Sequence, residues 1–177
     1  PARTLVPYLE HIEVDGPAMK ALEYFKGWEY VLAPNSIAAA IYVAWENEIK
    51  RQARLRFVPE AARDYIRGLQ LERILQWVED PQVMFGSAAN RDAFLMETFE
   101  AGIRGLTERL GPDMGQWEYG QKELKHIQIT HLLSGLVSDS LSAGWDLGPL
   151  PRGGNGYTPG STGNSYNQAS GATFRVI

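Results

Sequence analysis

The chain has 177 residues, of which 44% are hydrophobic and 21% charged, and it contains no cysteine. This composition is typical of one globular domain of ordinary size and excludes wholesale disorder. The net charge of −4 gives no basic footprint for nucleic acid, and the absence of cysteine excludes disulfides, thiolate zinc sites and a cysteine nucleophile.

The first 110 residues are predicted to be mainly helical. A short helix is predicted over residues 3–13, and a second follows a start signal in which Asp15 can cap the helix and Pro17 fits its first turn. Gly27 is predicted to end this second helix. Three large apolar residues form its apolar stripe: Met19, Leu22 and Phe25.

The most hydrophobic helix is predicted to begin after Asn35 and Ser36, because residues 37–45 are apolar without a break. Such a segment should be buried around most of its circumference, yet it is too short to span a bilayer, which needs roughly 20 apolar residues. The charged residues 46–56 should bring the rest of the helix into solvent. We therefore predict that this run is the centre of the core and that Ile37→Asp would prevent folding.

Three further helices are predicted before residue 111. Pro59 is expected to open one of them, and the spacing of Leu71, Ile74, Leu75 and Val78 predicts another that ends before Pro81. The clearest pattern predicts a helix over residues 88–110. It has Ser87 as its N-cap, Gly111 as its C-cap, and apolar residues spaced by three and four: Leu95, Phe99, Ile103, Leu106 and Leu110.

The chain changes character after Gly111. Short strands are predicted at 117–119 and 127–129, a long Gly/Pro-rich irregular loop at 148–171, and a β-prone run at 172–177. This predicts an α+β chain with a helical subdomain at 1–111, mixed short strands and helix at 112–147, and a Gly/Pro-rich loop ending in a strand at 148–177. Since a domain rarely stops inside a strand, we expect the chain to be part of a longer polypeptide.

The residues that could act in catalysis or bind a metal are better explained by structural roles. His126 and His131 are five residues apart, which points the two imidazoles away from one face on either a strand or a helix, so a metal pair is disfavoured. His11 stands alone. A Ser/His/Asp triad built from 138–140 and His131 lacks the Gly-x-Ser-x-Gly elbow.

Two other features are also explained better without catalysis. The glycines at 153–156 and 160–163 lack the strand, lysine and helix of a phosphate loop, so a permissive loop is favoured. Enzymes that use an N-terminal proline as a base begin with a β-strand. A catalytic role of Pro1 is therefore disfavoured, because a helix is predicted from residue 3 onward. No catalytic or metal-binding residue, and no substrate-binding residue, is therefore assigned.

Three strings in the sequence resemble the β-chain of the penicillin acylase family of N-terminal-nucleophile hydrolases. The first joins Gly27-Trp28-Glu29 to Asn35-Ser36, Ala39-Ala40, Ile41-Tyr42 and Trp45. The second joins Trp117-Glu118-Tyr119-Gly120 to Leu124 and His131-Leu132-Leu133. The third joins Gly153-Gly154 and Thr158 to Gly171-Ala172-Thr173-Phe174-Arg175-Val176. Tyr119, Leu132 and Thr173 depart from the family's usual Trp, Pro and Ser, which puts the substrate in doubt.

The resemblance implies that the chain is an interior portion of the β-chain of a larger αββα enzyme. In that family a chain-terminal serine is the nucleophile, its own α-amine is the base, and backbone N–H groups with an asparagine bind the oxyanion. These groups, and the ligands of a possible calcium ion, would lie upstream of the matching region, so none of them is carried over to a residue here.

The function implied is cleavage of an acyl group from an amine such as a β-lactam nucleus, a homoserine lactone or a lipopeptide. The implied partners are the remainder of the β-chain, the α-chain and a small N-acyl substrate, with no nucleic acid or membrane. A role in antibiotic biosynthesis and a periplasmic or extracellular location are implied by family habit alone. The alternative from the residues is a non-catalytic helical interaction module, and the 177 residues alone are expected to be inactive.

Overall fold

The computed structural model describes residues 1–158 and 165–169. Its described part contains six α-helices and two strands, which are α1 (Ala2–Leu9), α2 (Gly16–Glu23), α3 (Ile37–Phe57), α4 (Leu71–Glu79), α5 (Ala88–Leu110), β1 (His126–Ile129), α6 (Asp139–Ser142) and β2 (Leu147–Pro151). Short 3₁₀ turns occupy Glu60–Ala62, Met114–Gln116 and Ser134–Leu136. The predicted α+β class is confirmed, and the larger αββα fold stays a prediction.

The chain forms two compact units. The helical unit comprises residues 1–30 and 41–114, and the sheet unit comprises residues 31–40 and the chain from Gly115 onward. The predicted division at residues 111 and 147 stays a prediction. Among the described residues, no helix is both long enough and apolar enough to cross a bilayer.

The core of the helical unit lies where α3 packs against α5. The indole Nε1 of Trp45 donates to Thr98 Oγ1 at 3.1 Å and to the Leu95 carbonyl at 3.2 Å, and the Trp45 ring meets Phe99 edge-on at 5.5 Å. Gly102 permits the two backbones to approach, since a Cβ there would lie 3.1 Å from the Trp45 nitrogen. Burial of the 37–45 run is thus confirmed over 38–43 and at Trp45, while Ile37 is only half-buried.

The predicted caps of α3 and α5 are confirmed. Ser36 Oγ accepts from the Ala39 N–H, and Ser87 Oγ accepts from the Asn90 N–H, each at 3.1 Å. Gly111 follows α5 with φ 88°, a left-handed conformation that suits glycine. The boundaries of α4 and α5 also agree with the apolar spacing in the sequence.

The apolar stripe of α2 is only partly buried. Ala18 and Ala21 are buried with Phe25, whereas Met19 is 51% exposed and Leu22 is intermediate. The helix also begins without a side-chain bond from Asp15. Small residues face inward here because they allow close packing, which the large apolar residues alone did not indicate.

The helix predicted to open at Pro59 is also wrong, because only the 3₁₀ turn Glu60–Ala62 forms there. Two guanidinium groups hold the surrounding chain instead. Arg54 donates to the carbonyls of Ile66 at 2.9 Å and Arg63 at 2.6 Å, and Arg63 donates to Leu55 at 2.7 Å. These bonds satisfy the Leu55 carbonyl at the end of α3 and two carbonyls of the segment that follows, where no regular helix forms.

The sheet unit is organised around β1, which confirms the predicted strand at 127–129. On one side β1 pairs with β2 in antiparallel fashion, with His126 opposite Pro151. On the other side residues 165–168 run parallel to it, since the His126 N–H donates to the Tyr166 carbonyl at 2.9 Å and the Gln168 N–H donates to the His126 carbonyl at 2.8 Å.

Two predictions in the sheet unit need correction. Residues 117–119 are not a strand, because Trp117 and Tyr119 are buried side chains on an irregular segment that follows a 3₁₀ turn. The chain from Gly148 is not irregular throughout, because residues 148–151 belong to β2. The predicted strand at 172–177 and the glycines at 160 and 163 lie outside the described residues.

Candidate functional site

The three histidines considered in the sequence differ in burial and in their hydrogen-bond partners. His126 is buried in β1, with Nδ1 3.0 Å from the Leu124 carbonyl oxygen. His131 is exposed, its ring lies 5.1 Å from that of Trp145, and its Nδ1 accepts from the Leu133 N–H at 3.2 Å. His11 is exposed on the turn after α1. These contacts are structural, and no metal ligand set involves the three rings.

No metal site is formed by residues 1–158 and 165–169, since they contain no group of three or more His, Asp or Glu side chains suited to hold an ion. The calcium that the family resemblance implies stays a prediction about other parts of the protein, and no chemistry is derived through it.

The serine cluster at the start of α6 is not arranged as a nucleophile. Ser138 Oγ lies 3.1 Å from Ser140 Oγ, and both hydroxyls are exposed. His131 Nδ1 is occupied by a backbone N–H, so this imidazole nitrogen is not available as the base for either serine. The described part of the chain thus brings no serine and histidine together in a triad.

The Gly-rich stretch at 153–156 lies along the segment 32–34 of the same unit. The Gly154 N–H donates to the Leu32 carbonyl at 2.9 Å, and a Cβ on Gly153 would collide with that carbonyl oxygen. The Asn155 N–H donates to Thr158 Oγ1 at 2.9 Å. Because these N–H groups already bond to protein oxygens, the stretch does not offer them to a phosphate.

A short part of each of the three strings that carry the family resemblance lies at this point of the sheet unit. The Gly120 N–H donates to the Pro34 carbonyl at 2.5 Å, directly before the Asn35-Ser36 cap, and Tyr119 Oη donates to the Gly154 carbonyl at 2.7 Å. Tyr119 and Trp117 are buried beside them. We call this place, where residues 32–36, 119–120 and 153–154 hydrogen-bond to one another, the motif junction.

An open groove with a volume of about 370 Å³ runs along the motif junction. It has an apolar part and a polar part, and its lining consists of Val31, Leu32, Pro34, Pro151, Arg152, Gly153, Gly154 and Thr158. Arg152 also donates through Nε to Gln168 Oε1 at 3.3 Å. The groove can accommodate a small molecule or a chain segment, but it contains no nucleophile and base.

Two buried ionisable groups were not anticipated from the sequence. Lys125 is 1% exposed and its Nζ donates to the Ser165 carbonyl at 2.7 Å, and burial, followed by the charge of Arg152, lowers the pKa of its ammonium. In the helical unit the Glu46 carboxylate is 1% exposed and accepts from Tyr42 Oη at 2.7 Å and Lys50 Nζ at 2.8 Å.

The Glu46 cluster had a sequence signal, because Tyr42, Glu46 and Lys50 recur at intervals of four, which places them on one helix face. Lys125 had none, since its burial depends on β2 and on residues 165–169, which approach it only in the folded chain. The Lys125 bond joins two separate segments of the sheet unit, whereas the bonds of the Glu46 cluster lie within α3.

The comparison with known proteins decides the family. The family model for penicillin amidase matches residues 1–177. The chain belongs to the penicillin amidase family. The resemblance of the three strings to this family is thereby confirmed. A comparison with curated proteins finds no match.

Proposed function

We propose that this chain is a portion of an amide hydrolase that separates an acyl group from an amine. The observation that carries the proposal is the match of the penicillin amidase family model across residues 1–177. The groove at the motif junction supports it, because its volume of about 370 Å³ can accommodate a small molecule.

The nucleophile and base are proposed to come from a part of the enzyme outside these residues. Two contacts support this division: Ser138 Oγ bonds to Ser140, and His131 Nδ1 bonds to a backbone N–H. In the proposed chemistry the hydroxyl of a chain-terminal serine attacks the amide carbonyl while its α-amine accepts the proton. The C–N bond then breaks, the leaving amine takes that proton, and water hydrolyses the acyl-enzyme to release the carboxylic acid and restore the serine. The described chain contributes shape and attachment surfaces to that enzyme.

The substrate is proposed to be an N-acyl compound whose amine is a β-lactam nucleus, a homoserine lactone or a lipopeptide. A periplasmic or extracellular location is proposed from the family alone. These finer statements extend the family assignment, and each is open to a direct measurement on the intact protein.

The test is hydrolysis of phenylacetyl and long-chain acyl anilides by the intact protein, with the released aniline measured by absorbance. We expect turnover and an acyl group trapped, by mass spectrometry, on a chain-terminal serine. Ser138→Ala is the matched control and should retain full activity. Loss of activity in that variant would place the nucleophile in this chain, and absence of turnover with every acyl length would favour the non-catalytic interaction module.

A further inference from the structure

The groove at the motif junction combines an apolar wall with a single kind of charge. Arg152 is the charged residue of its described lining, which includes no Asp or Glu. The volume of about 370 Å³ lies within the range of roughly 300–1,000 Å³ that small-molecule sites occupy. Val31 is 57% exposed. The apolar wall consists of four residues that are exposed or half-buried: Val31, Leu32, Pro34 and Pro151.

The guanidinium of Arg152 is fixed at one edge. Its Nε donates to Oε1 of the buried Gln168 at 3.3 Å. None of the ion pairs among residues 1–158 and 165–169 involves Arg152, and its Nη groups donate to no oxygen of those residues. A guanidinium presents its N–H groups as a planar fork that matches the two oxygens of a carboxylate. The described chain therefore holds this fork in place and leaves its outer N–H groups for another molecule.

The electrostatic surroundings of Arg152 favour an anion. The Arg152 N–H donates to the Lys125 carbonyl at 3.2 Å, which places the two residues side by side in the sheet unit. After burial, the charge of Arg152 is the second cause that lowers the pKa of the Lys125 ammonium. The two cations therefore repel each other across a short distance. An anion bound in the groove would relieve this repulsion, whereas a cation would add to it.

The walls of the groove are unsuited to an extended peptide, which is bound mainly through main-chain hydrogen bonds. Pro34 and Pro151 have no N–H to donate. The Leu32 carbonyl already accepts from the Gly154 N–H, and the Pro34 carbonyl accepts from the Gly120 N–H. These same bonds hold the walls in place before a ligand arrives, which reduces the ordering that binding requires. A small molecule that needs one anionic contact and one apolar contact suits such a groove.

We propose that this groove is a binding site for a small monocarboxylate with a short apolar body. Its carboxylate would accept from the Arg152 guanidinium, and its apolar body would lie against Val31 and Leu32. Inorganic phosphate offers oxygens to the same fork but would leave the apolar wall in contact with water, so it is the weaker ligand. The inference goes beyond the proposed function, because the groove contains no reacting group and binding there requires no turnover.

The experiment is photoaffinity labelling of the intact protein with a benzoate that carries a diazirine, read at residue level by tandem mass spectrometry. Label should appear on residues 31–34 or 151–154 and should be displaced by unlabelled benzoate. Benzamide keeps the shape without the charge, and inorganic phosphate keeps the charge without the apolar body. Each should displace the label roughly tenfold less effectively than benzoate. Absence of label from both segments, or equal displacement by either competitor, would overturn the proposal.

Matched variants test the two halves of the site. Arg152→Gln should lower the labelling roughly tenfold, whereas Arg67→Gln, which removes the same charge from an exposed position of the helical unit, should not. Because Arg152→Gln also changes the contact with Gln168, a second pair leaves that contact in place. Val31→Asp puts a negative charge on the exposed wall and should lower the labelling more than the isosteric, uncharged Val31→Asn. Unchanged labelling in Arg152→Gln, or equal labelling in the two Val31 variants, would contradict the site.

Measuring amidase activity on the same samples keeps this inference apart from the proposed function. A labelled groove in a protein without amidase activity contradicts the proposed function and leaves the carboxylate site intact. An active enzyme whose groove takes no label contradicts the carboxylate site and leaves the proposed function intact.

Discussion

Replacing Ile41 by Asp is expected to unfold the helical unit, whereas the same change at Ile37, one turn earlier in α3, is expected to be tolerated. The sequence alone predicted that Ile37→Asp would prevent folding, because it placed the whole run 37–45 inside the core. The structure separates the two positions: Ile41 is 0% exposed, and Ile37 is the half-buried first residue of the helix.

The expected magnitudes differ because the two aspartates meet different surroundings. At Ile41 the loss of apolar burial costs about 1.5–3 kcal/mol and the buried, unpaired carboxylate several kcal/mol more, against a total stability of about 5–15 kcal/mol. At Ile37 only part of the side chain is withdrawn from water. An acidic group in the first turn also gains about 0.3–1 kcal/mol from the helix dipole, so the net cost should be near 1 kcal/mol.

The assay is circular dichroism with thermal unfolding at neutral pH, applied to both variants and to Ile41→Val as the conservative control. Ile41→Val should cost about 0.5–1.5 kcal/mol and keep a cooperative transition. Equal melting temperatures for Ile37→Asp and Ile41→Asp would refute the reasoning, because it would mean that exposure along α3 does not govern the penalty.

Three further outcomes are expected. Gly105→Ala should stabilise the protein by up to about 1 kcal/mol, because a Cβ there meets no other atom. Gly102→Ala should destabilise the protein, because its Cβ would press on the Trp45 backbone, and equal shifts of the two variants in the denaturation midpoint would contradict the close contact between α3 and α5. Tyr119→Phe should cost about 1–2 kcal/mol by leaving the Gly154 carbonyl without its 2.7 Å donor, measured by urea unfolding against the exposed control Tyr65→Phe. The hydrogen bond from Ser134, followed by that from the His131 N–H, lowers the pKa of Asp146 below its ordinary 3.8. The contacts of Asp146 with His131 and Ser134 should therefore be fully present above that pH and weaken as the pH falls through the lower folded pKa, which hydrogen exchange of the His131 amide would measure. Asp146→Asn should abolish this acid dependence, and its persistence in the variant would assign it to another group.

The sequence by itself determined the features that depend on neighbours along the chain. The bounds of α5 followed from Ser87, Gly111 and the apolar spacing between them, since caps and periodicity act within a few residues. The strand at 127–129 and the burial of most of 38–45 followed in the same way. The family also followed from the sequence, because the three strings that resemble it are read from the order of residues along the chain without the fold.

Tertiary structure decided the features in which distant segments compete for the same groups. Arg54 and Arg63 bind the carbonyls around Pro59, so a 3₁₀ turn forms where local signals predicted a helix. Trp117 and Tyr119 are buried on an irregular segment although their residue types favour strands.

The candidate site shows the same division. No pattern along the chain predicts the hydrogen bond of Tyr119 to Gly154 or that of Lys125 to Ser165. The bonds that Asp146 accepts from His131 and Ser134 are equally unpredicted. Each of these bonds joins residues at least 12 positions apart, and each group has several possible partners of the same chemistry. Only the packed chain selects one partner, because burial makes every other choice cost an unsatisfied polar group.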